Sequence, residues 1–274
     1  MFLILIFLLG IAIGSFLNVL IDRLPAEEKI TGRSRCDHCK KKLSWYDLVP
    51  IFSYFYLGAK CRYCGKKFSF IYPVVEFVTG VMFVLVIVWA NQTGQYSMPG
   101  KTERIGEALL TLHNQTLMLV ALLGIVSVSV VIFFADFKYQ IIPDSVQLAL
   151  FAFSFLYLVT QGITPAKFLN QIVSAFLVMT PILLLFLITK GKAMGFGDVK
   201  LAFSLGFLLG TLAGLMALYI GFVAGATIGL ILITLKMKKL RSKIAFGPFL
   251  IIGMLSALFY KIQLVQILRS FYSF

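Results

Sequence analysis

One long apolar stretch decides the fold class: Val199–Leu235, with the sequence VKLAFSLGFLLGTLAGLMALYIGFVAGATIGLILITL. These 37 residues carry a single charge, that of Lys200. A helix rises about 1.5 Å per residue, and roughly 20 residues cross a bilayer, so the stretch is too long for one crossing. We therefore predict two spans that meet near Gly210–Gly214, where glycine permits a turn.

The same apolar character extends over the whole chain. Hydrophobic residues make up 60% of its 274 positions and charged residues 13%, and the mean hydropathy is +0.96. Soluble domains are about 45–50% apolar and about 25% charged, so a soluble globular domain is excluded, as is intrinsic disorder. Continuous apolar runs also exclude a β-barrel. The composition predicts an all-α polytopic membrane protein with about eight transmembrane helices. The predicted spans cover residues 2–21, 74–90, 116–135, 145–163, 169–189, 199–212, 213–235 and 246–266.

Positive charge orients these spans. With the N-terminus outside, the loops of one face hold 20 of the 25 Lys and Arg residues, and the other face holds five. By the positive-inside rule the richer face is cytoplasmic. The net charge of +14 then reflects topology and contact with anionic lipid, and no aromatic–basic module points to nucleic acid. The first span has no basic residue in Met1–Leu9, so we interpret it as retained rather than cleaved.

All four cysteines lie in the first predicted cytoplasmic loop, residues 22–73. They form two Cys-x-x-Cys pairs, Cys36 with Cys39 and Cys61 with Cys64, separated by 21 residues. Two such pairs can present four thiolates to one tetrahedral Zn²⁺, and a reducing cytoplasm favours metal over disulfides. We predict a structural zinc site in a small loop domain. Two disulfides or four free thiols are the alternative, and the histidine within the first pair is expected to be a bystander.

Three acidic residues lie at the predicted membrane boundary: Asp136, Asp144 and Asp198. Two predicted spans separate Asp136 from Asp198, so both carboxylates return to the cytoplasmic boundary and can meet. Two carboxylates held close in a low dielectric do not both ionise. The ionised one then accepts a proton from water while the other donates to a carbonyl oxygen, which is the chemistry of an aspartic protease. Ionisable residues at this depth are functional candidates by default.

Each of these carboxylates also has a structural interpretation. Asp144 follows Ile-Pro and suits a helix N-cap, and we favour this role over catalysis. Asp198 can also be a helix cap, and Asp136 can be a charge at the membrane interface. Gly195 and Gly197 are expected to permit a tight turn and the close approach of a peptide backbone. The chain has only two histidines, so it lacks the material for a Ser-His-Asp triad or a histidine-rich metalloprotease site.

Short motifs follow one another in a fixed order along nearly the whole chain. In the N-terminal part they are Gly14–Val19, Arg23–Pro25, Ser34–Cys39, Leu43–Pro50, Gly58–Cys64 and Tyr72–Glu76. In the C-terminal part they are Asp136, Ile142–Asp144, Gly195–Lys200 and Phe246–Phe249. In this combination the chain resembles the bacterial type IV prepilin peptidases, which are leader peptidases and N-methyltransferases in one chain.

The resemblance implies that Asp136 and Asp198 are the catalytic pair. It implies cleavage after a Gly at the cytoplasmic end of the leader of prepilin-like or pseudopilin precursors, then methylation of the new N-terminus with S-adenosylmethionine. It further implies a multi-pass protein of the cytoplasmic (inner) membrane. The implied domains are a first span at 1–21, a four-cysteine zinc loop associated with methylation at 22–73, and a peptidase domain at 74–274. No glycine-rich nucleotide fold is visible, so we name no methyltransferase residues.

Other functions remain open at this point. A Gly-x-Gly-Asp motif such as Gly195–Asp198 also occurs in presenilin-type intramembrane proteases, but this chain lacks their Tyr-Asp inside a span and their Pro-Ala-Leu motif. The non-enzymatic alternative is a zinc-bearing membrane scaffold or a transporter. Transporters carry internal repeats with broken helices, and no repeat is found in this sequence.

Overall fold

The computed structural model describes residues 1–36, 38–93, 105–192, 194–237, 245–260 and 263, with only the backbone described for 105–111. Over these residues the fold is all-α, and β-structure is limited to two isolated bridges. The α-helices are α1 Phe2–Arg23, α2 Phe52–Tyr56, α3 Ile71–Gln92, α4 Ile105–Tyr139, α5 Asp144–Thr160, α6 Pro165–Thr189, α7 Phe196–Leu209, α8 Thr211–Thr234 and α9 Gly247–Phe259. A 3₁₀ helix spans Trp45–Leu48. The predicted all-α fold class is confirmed.

Each of the eight predicted spans coincides with a helix. In the described part of the chain, five helices are long and apolar enough to cross a membrane: α1, α3, α4 over Leu112–Tyr139, α6 and α8. α5 and α9 are shorter apolar helices. α7 has 14 residues and carries Asp198 and Lys200 near its start. The predicted end of the eighth span, 261–266, lies outside the described residues apart from Gln263.

The long apolar stretch divides at Gly210. α7 ends at Leu209 and α8 begins at Thr211, and between them Gly210 adopts φ 81° and ψ 174°. Positive φ is disfavoured for residues with a Cβ, so glycine suits this position. The predicted division into two helices is therefore confirmed.

The chain forms two compact units, Met1–Phe134 and Ala135–Phe274. In the first unit α1 and α3 pack along each other through small residues. A Cβ added to Gly10 would lie 2.7 Å from the Cα of Gly80. The two backbones therefore approach directly, as is common between membrane helices.

In the second unit α7 is the central helix. It packs against α5, α6, α8 and α9, and ten of its 14 residues are buried. A Cβ added to Gly206 would lie 2.6 Å from the carbonyl oxygen of Ser174 in α6. The ring of Phe207 lies 4.4 Å from that of Phe151 in α5, centroid to centroid. Close packing on several sides fixes the first turn of α7, which carries Asp198.

Candidate functional site

Asp136 lies in the last turn of α4 and belongs to the second unit. Its side chain is buried, with the residue 6% exposed. Its Oδ2 accepts a hydrogen bond from the backbone N–H of Gly247 at 2.8 Å. Gly247 is the first residue of α9, where backbone N–H groups have no partner within the helix. The N-terminus of α9 therefore holds this carboxylate in one orientation.

Asp198 is the third residue of α7 and is 7% exposed. Its Oδ2 accepts from the backbone N–H of Gly195 at 3.1 Å, and its own N–H donates to the Gly195 carbonyl at 3.2 Å. This is the N3 half of a capping box. Asp198 thus helps to start α7, as the structural interpretation allowed, but from N3 rather than from the N-cap.

The two carboxylates are neighbours. The negative charge of Asp136 acts directly on Asp198, and both groups are shielded from solvent. Each is held at Oδ2 by the N–H of a glycine. Paired carboxylates in such a setting can share one proton and act as an acid and a base together.

Gly195 and Gly197 lie at the start of α7. Gly195 is extended, with φ −78° and ψ 155°, and Gly197 is helical and not among the glycines with positive φ. α7 starts directly from this extended residue and neither glycine uses positive φ, so a special role of these glycines in a tight turn stays a prediction. A Cβ on Gly195 would lie 3.6 Å from Asp198 Oδ2, an ordinary contact distance. The close approach of a peptide backbone at these glycines stays a prediction.

Gln147 in α5 binds the Gly195–Asp198 motif at the start of α7, a contact that the sequence did not predict. Its Nε2 donates to the carbonyl oxygen of Gly197 at 3.2 Å, and the residue is 5% exposed. Its Oε1 is buried and has no hydrogen-bond partner among the described residues. The bond links α5 to the first turn of α7. A polar residue one turn after Asp144 was the only signal, and by itself it indicates no partner.

Asp144 is not an N-cap, and that prediction is wrong. It is the first residue of α5, and Pro143 occupies the N-cap position without a side-chain hydrogen bond. Lys200 Nζ donates to Asp144 Oδ1 at 2.6 Å, and the Asp144 side chain is 76% exposed. An acidic residue in the first turn still suits the helix dipole. Lys200, the single charge of the long apolar stretch, therefore has a defined partner.

The four cysteines form one cluster in the loop of the first unit. The Sγ atoms of Cys36, Cys39, Cys61 and Cys64 all lie within 4.8 Å of one another, and none of the four forms a disulfide. Cys36 Sγ and Cys64 Sγ are 3.8 Å apart. A tetrahedral Zn²⁺ with Zn–S bonds of about 2.3 Å places its sulfurs about 3.8 Å apart. The cluster can hold a metal ion and is compatible with zinc.

Two equivalent hairpins present these cysteines. In each, the residue after the second cysteine has positive φ: 56° at Lys40 and 70° at Gly65. Its N–H donates to the carbonyl of the first cysteine, Cys36 or Cys61, at 2.9 Å in both hairpins. Burial raises the pKa of the Cys61 thiol, but hydrogen bonds from two backbone N–H groups of its own hairpin and from the Cys36 and Cys64 thiols together lower that pKa to about 7. A lowered pKa favours the thiolate that a metal requires.

Two buried acids to which the sequence assigned no catalytic role secure this loop. Asp47 accepts from Arg62 Nε at 2.8 Å, and Arg62 lies between the cysteines of the second hairpin. Glu76 in α3 accepts from the backbone N–H of Ile51 at 2.7 Å. Ile51 has φ 62° and ψ −54°, a costly conformation for a β-branched residue. Glu76 is buried and stabilises this strained turn of the loop.

Comparison with known proteins identifies the family. Residues 8–90 match the family described as the bacterial peptidase A24 N-terminal domain, and residues 123–230 match the type IV leader peptidase family. A prepilin leader peptidase/N-methyltransferase of Legionella pneumophila is 30% identical over 94% of this chain and 91% of its own length. One of Klebsiella pneumoniae is 31% identical over 75% of this chain and 84% of its own. The chain belongs to the prepilin leader peptidase family.

A third prepilin leader peptidase/N-methyltransferase, from Myxococcus xanthus, is 45% identical over 84 residues, which are 30% of this chain and 25% of that relative. No solved structure matches the chain. The first family match contains the cysteine cluster, and the second contains Asp136 and Asp198. The resemblance to the prepilin peptidases is confirmed.

Proposed function

We propose that this prepilin peptidase is a membrane-embedded aspartic endopeptidase with Asp136 and Asp198 as its catalytic pair. One observation carries the proposal: two buried carboxylates from different helices lie together, each held at Oδ2 by a glycine N–H. The substrates are prepilin-like or pseudopilin precursors, cut after a Gly at the cytoplasmic face of the inner membrane. The names of the relatives and the concentration of Lys and Arg in the predicted cytoplasmic loops support this assignment.

The pair hydrolyses a peptide bond with one shared proton. The ionised carboxylate takes a proton from water, whose oxygen attacks the scissile carbonyl carbon, while the protonated partner donates to the carbonyl oxygen. In the second step the C–N bond breaks as one carboxyl protonates the leaving nitrogen and the other carboxylate takes a hydroxyl proton from the intermediate. The products are the carboxylic acid of the leader and a new amine, and the pair is left with its one proton. Orientation by the two glycine N–H groups before substrate binds lowers the entropic part of the barrier.

The cysteine cluster, we propose, holds one structural Zn²⁺. Four thiolates complete a tetrahedron and leave no position for a reacting water. The ion then stabilises the folded loop of residues 22–73 and takes no part in hydrolysis. Such a site contributes to folding because the unfolded loop does not hold the four ligands together.

The second proposed activity is N-methylation of the new N-terminus, which the names of the relatives support. S-adenosylmethionine would supply the methyl group to the amine that cleavage exposes. The described residues contain no parallel sheet with a glycine-rich turn, so they do not fit the usual nucleotide fold. We assign no residue of this chain to the cofactor.

The dyad is tested with Asp136→Asn and Asp198→Asn. The purified variants are incubated with a prepilin peptide, and the products are measured by mass spectrometry. An amide cannot exchange the proton, so each substitution should lower the cleavage rate by at least about 10²–10⁴-fold. Both variants should still insert into membranes, and both should still methylate a pre-cut peptide. Cleavage at the normal rate by either variant would reject the dyad.

A further inference from the structure

The loop of the first unit exposes a group of aromatic side chains, which we call the aromatic face. Its members are Trp45, Phe52, Phe55, Tyr56 and Phe70, exposed by 75%, 73%, 66%, 84% and 63%. α2 has four aromatic residues among its five, yet none of the five is buried. Soluble surfaces rarely carry contiguous apolar patches of this kind, and such patches mark interaction sites.

The aromatic face is continuous and lies beside a membrane span. α2 packs against the 3₁₀ helix that carries Trp45. Tyr54 of α2 contacts Phe70 edge to face, with ring centroids 6.1 Å apart. Phe70 directly precedes Ile71, the first residue of α3, which is long and apolar enough to cross a membrane. α2 therefore lies close to the N-terminal end of a helix that can cross the bilayer.

Cations accompany the aromatic residues. The loop of residues 22–73 carries 11 Lys and Arg against five Asp and Glu. Arg62, whose side chain is 41% exposed while its Nε pairs with Asp47, lies 4.9 Å from the centroid of the Tyr46 ring. The Tyr46 ring in turn lies 5.7 Å from that of Trp45. Anionic lipid head groups attract Lys and Arg, and Trp and Tyr concentrate at the boundary between water and hydrocarbon. Both features complement an anionic bilayer surface.

We propose that the aromatic face inserts into the head-group region of the bilayer beside α3 and holds the cysteine loop against the membrane. The aromatic rings transfer from water to the boundary between head groups and acyl chains. The neighbouring cations stay at the level of the lipid phosphates. This binding mode requires no partner protein. It also stands independently of the peptidase and methyltransferase activities proposed above.

Trp45 is a natural probe for this contact, because the chain has only two tryptophans, Trp45 and Trp89. The full chain with Trp89→Phe is reconstituted into vesicles of phosphatidylcholine and phosphatidylglycerol. Its emission is then quenched either by lipids brominated near the head group or by acrylamide from the water phase. The brominated lipid should quench the Trp45 emission several-fold, because an interfacial indole lies at the depth of the bromine atoms. Acrylamide should quench Trp45 several-fold less than it quenches free N-acetyltryptophanamide.

A second variant keeps the probe and removes part of the face. Phe52→Ser with Phe55→Ser in the Trp89→Phe background should shift the Trp45 emission to the red and raise its quenching by acrylamide. Ile188→Ser, on a residue that is 78% exposed in α6, is the matched control and should change neither quantity. Acrylamide quenching of Trp45 equal to that of the free indole would overturn the proposal. So would shielding of Trp45 from both quenchers, which would assign the aromatic face to a protein contact.

Discussion

Replacing Gly247 with Ala tests how the structure positions the carboxylate of Asp136, which we propose to be catalytic. The Gly247 N–H donates to Asp136 Oδ2 at 2.8 Å, and an added Cβ would lie 2.7 Å from the same oxygen and 3.1 Å from Cγ. Real Cβ atoms essentially never approach within 3.0 Å of another heavy atom. The carboxylate must therefore move or rotate away from the position in which it meets Asp198.

The size of the effect follows from this geometry. Restoring an ordinary contact requires a shift that approaches about 1 Å, and a reacting group misplaced by that distance loses about 10²-fold in rate. This corresponds to about 2.7 kcal/mol in the barrier, at about 1.36 kcal/mol for each factor of ten. We expect kcat to fall by that factor while KM changes little, because the substituted residue directly contacts a carboxylate of the proposed pair.

The assay is steady-state cleavage of a prepilin peptide, with thermal unfolding of each purified variant measured in parallel. Gly225→Ala is the matched control, because its Cβ would lie 3.2 Å from a Phe249 ring atom, a smaller overlap that does not involve either carboxylate. Gly253→Ala marks the opposite extreme: its Cβ would overlap the Ala217 carbonyl oxygen, so stability and activity should fall together. Normal cleavage by Gly247→Ala, or a loss no larger than its loss of folded protein, would refute the reasoning.

Asp144→Asn should keep at least about half of the wild-type cleavage, because an exposed ion pair such as that with Lys200 contributes about 0–1 kcal/mol. A loss as severe as that of the dyad variants would instead place this residue in catalysis. Gln147→Leu leaves the carbonyl at the start of α7 without its side-chain donor; thermal unfolding should show a loss of about 1–3 kcal/mol, and kcat should fall more than KM rises. Unchanged stability and kcat would show that the bond does not position α7. The purified protein should contain about one zinc per chain by elemental analysis, and Cys64→Ser should release it, whereas metal-free protein with two disulfides would contradict the site. Cys36→Ser should reduce methylation of a pre-cut peptide more than cleavage of the intact one, as read from product masses, and an equal loss of both would contradict separate sites.

The sequence alone determined the features that depend on composition and on local spacing. Apolar length identifies each span, because the bilayer thickness sets how many residues a helix needs. Spacing within the pairs Cys36–Cys39 and Cys61–Cys64 predicts a shared metal, because each pair closes one hairpin. The parity of the spans predicts that Asp136 and Asp198 share a face of the membrane, since two crossings return the chain to its starting side.

Only the tertiary structure decided what surrounds the two carboxylates. The N–H of Gly247 donates to Asp136, which lies 111 residues earlier in the chain. Lys200 of α7 pairs with Asp144 of α5. Gln147 of α5 donates to the Gly197 carbonyl at the start of α7. These contacts depend on how each helix is rotated about its axis and how far it is shifted along it. The packing of α7 against four neighbouring helices fixes both quantities. Hydrophobicity is nearly uniform around a membrane helix, so the sequence pattern does not reveal which face of α7 contacts which neighbouring helix. Side-chain interdigitation selects that face. For this reason only the packed structure shows which residues bind the acidic side chains.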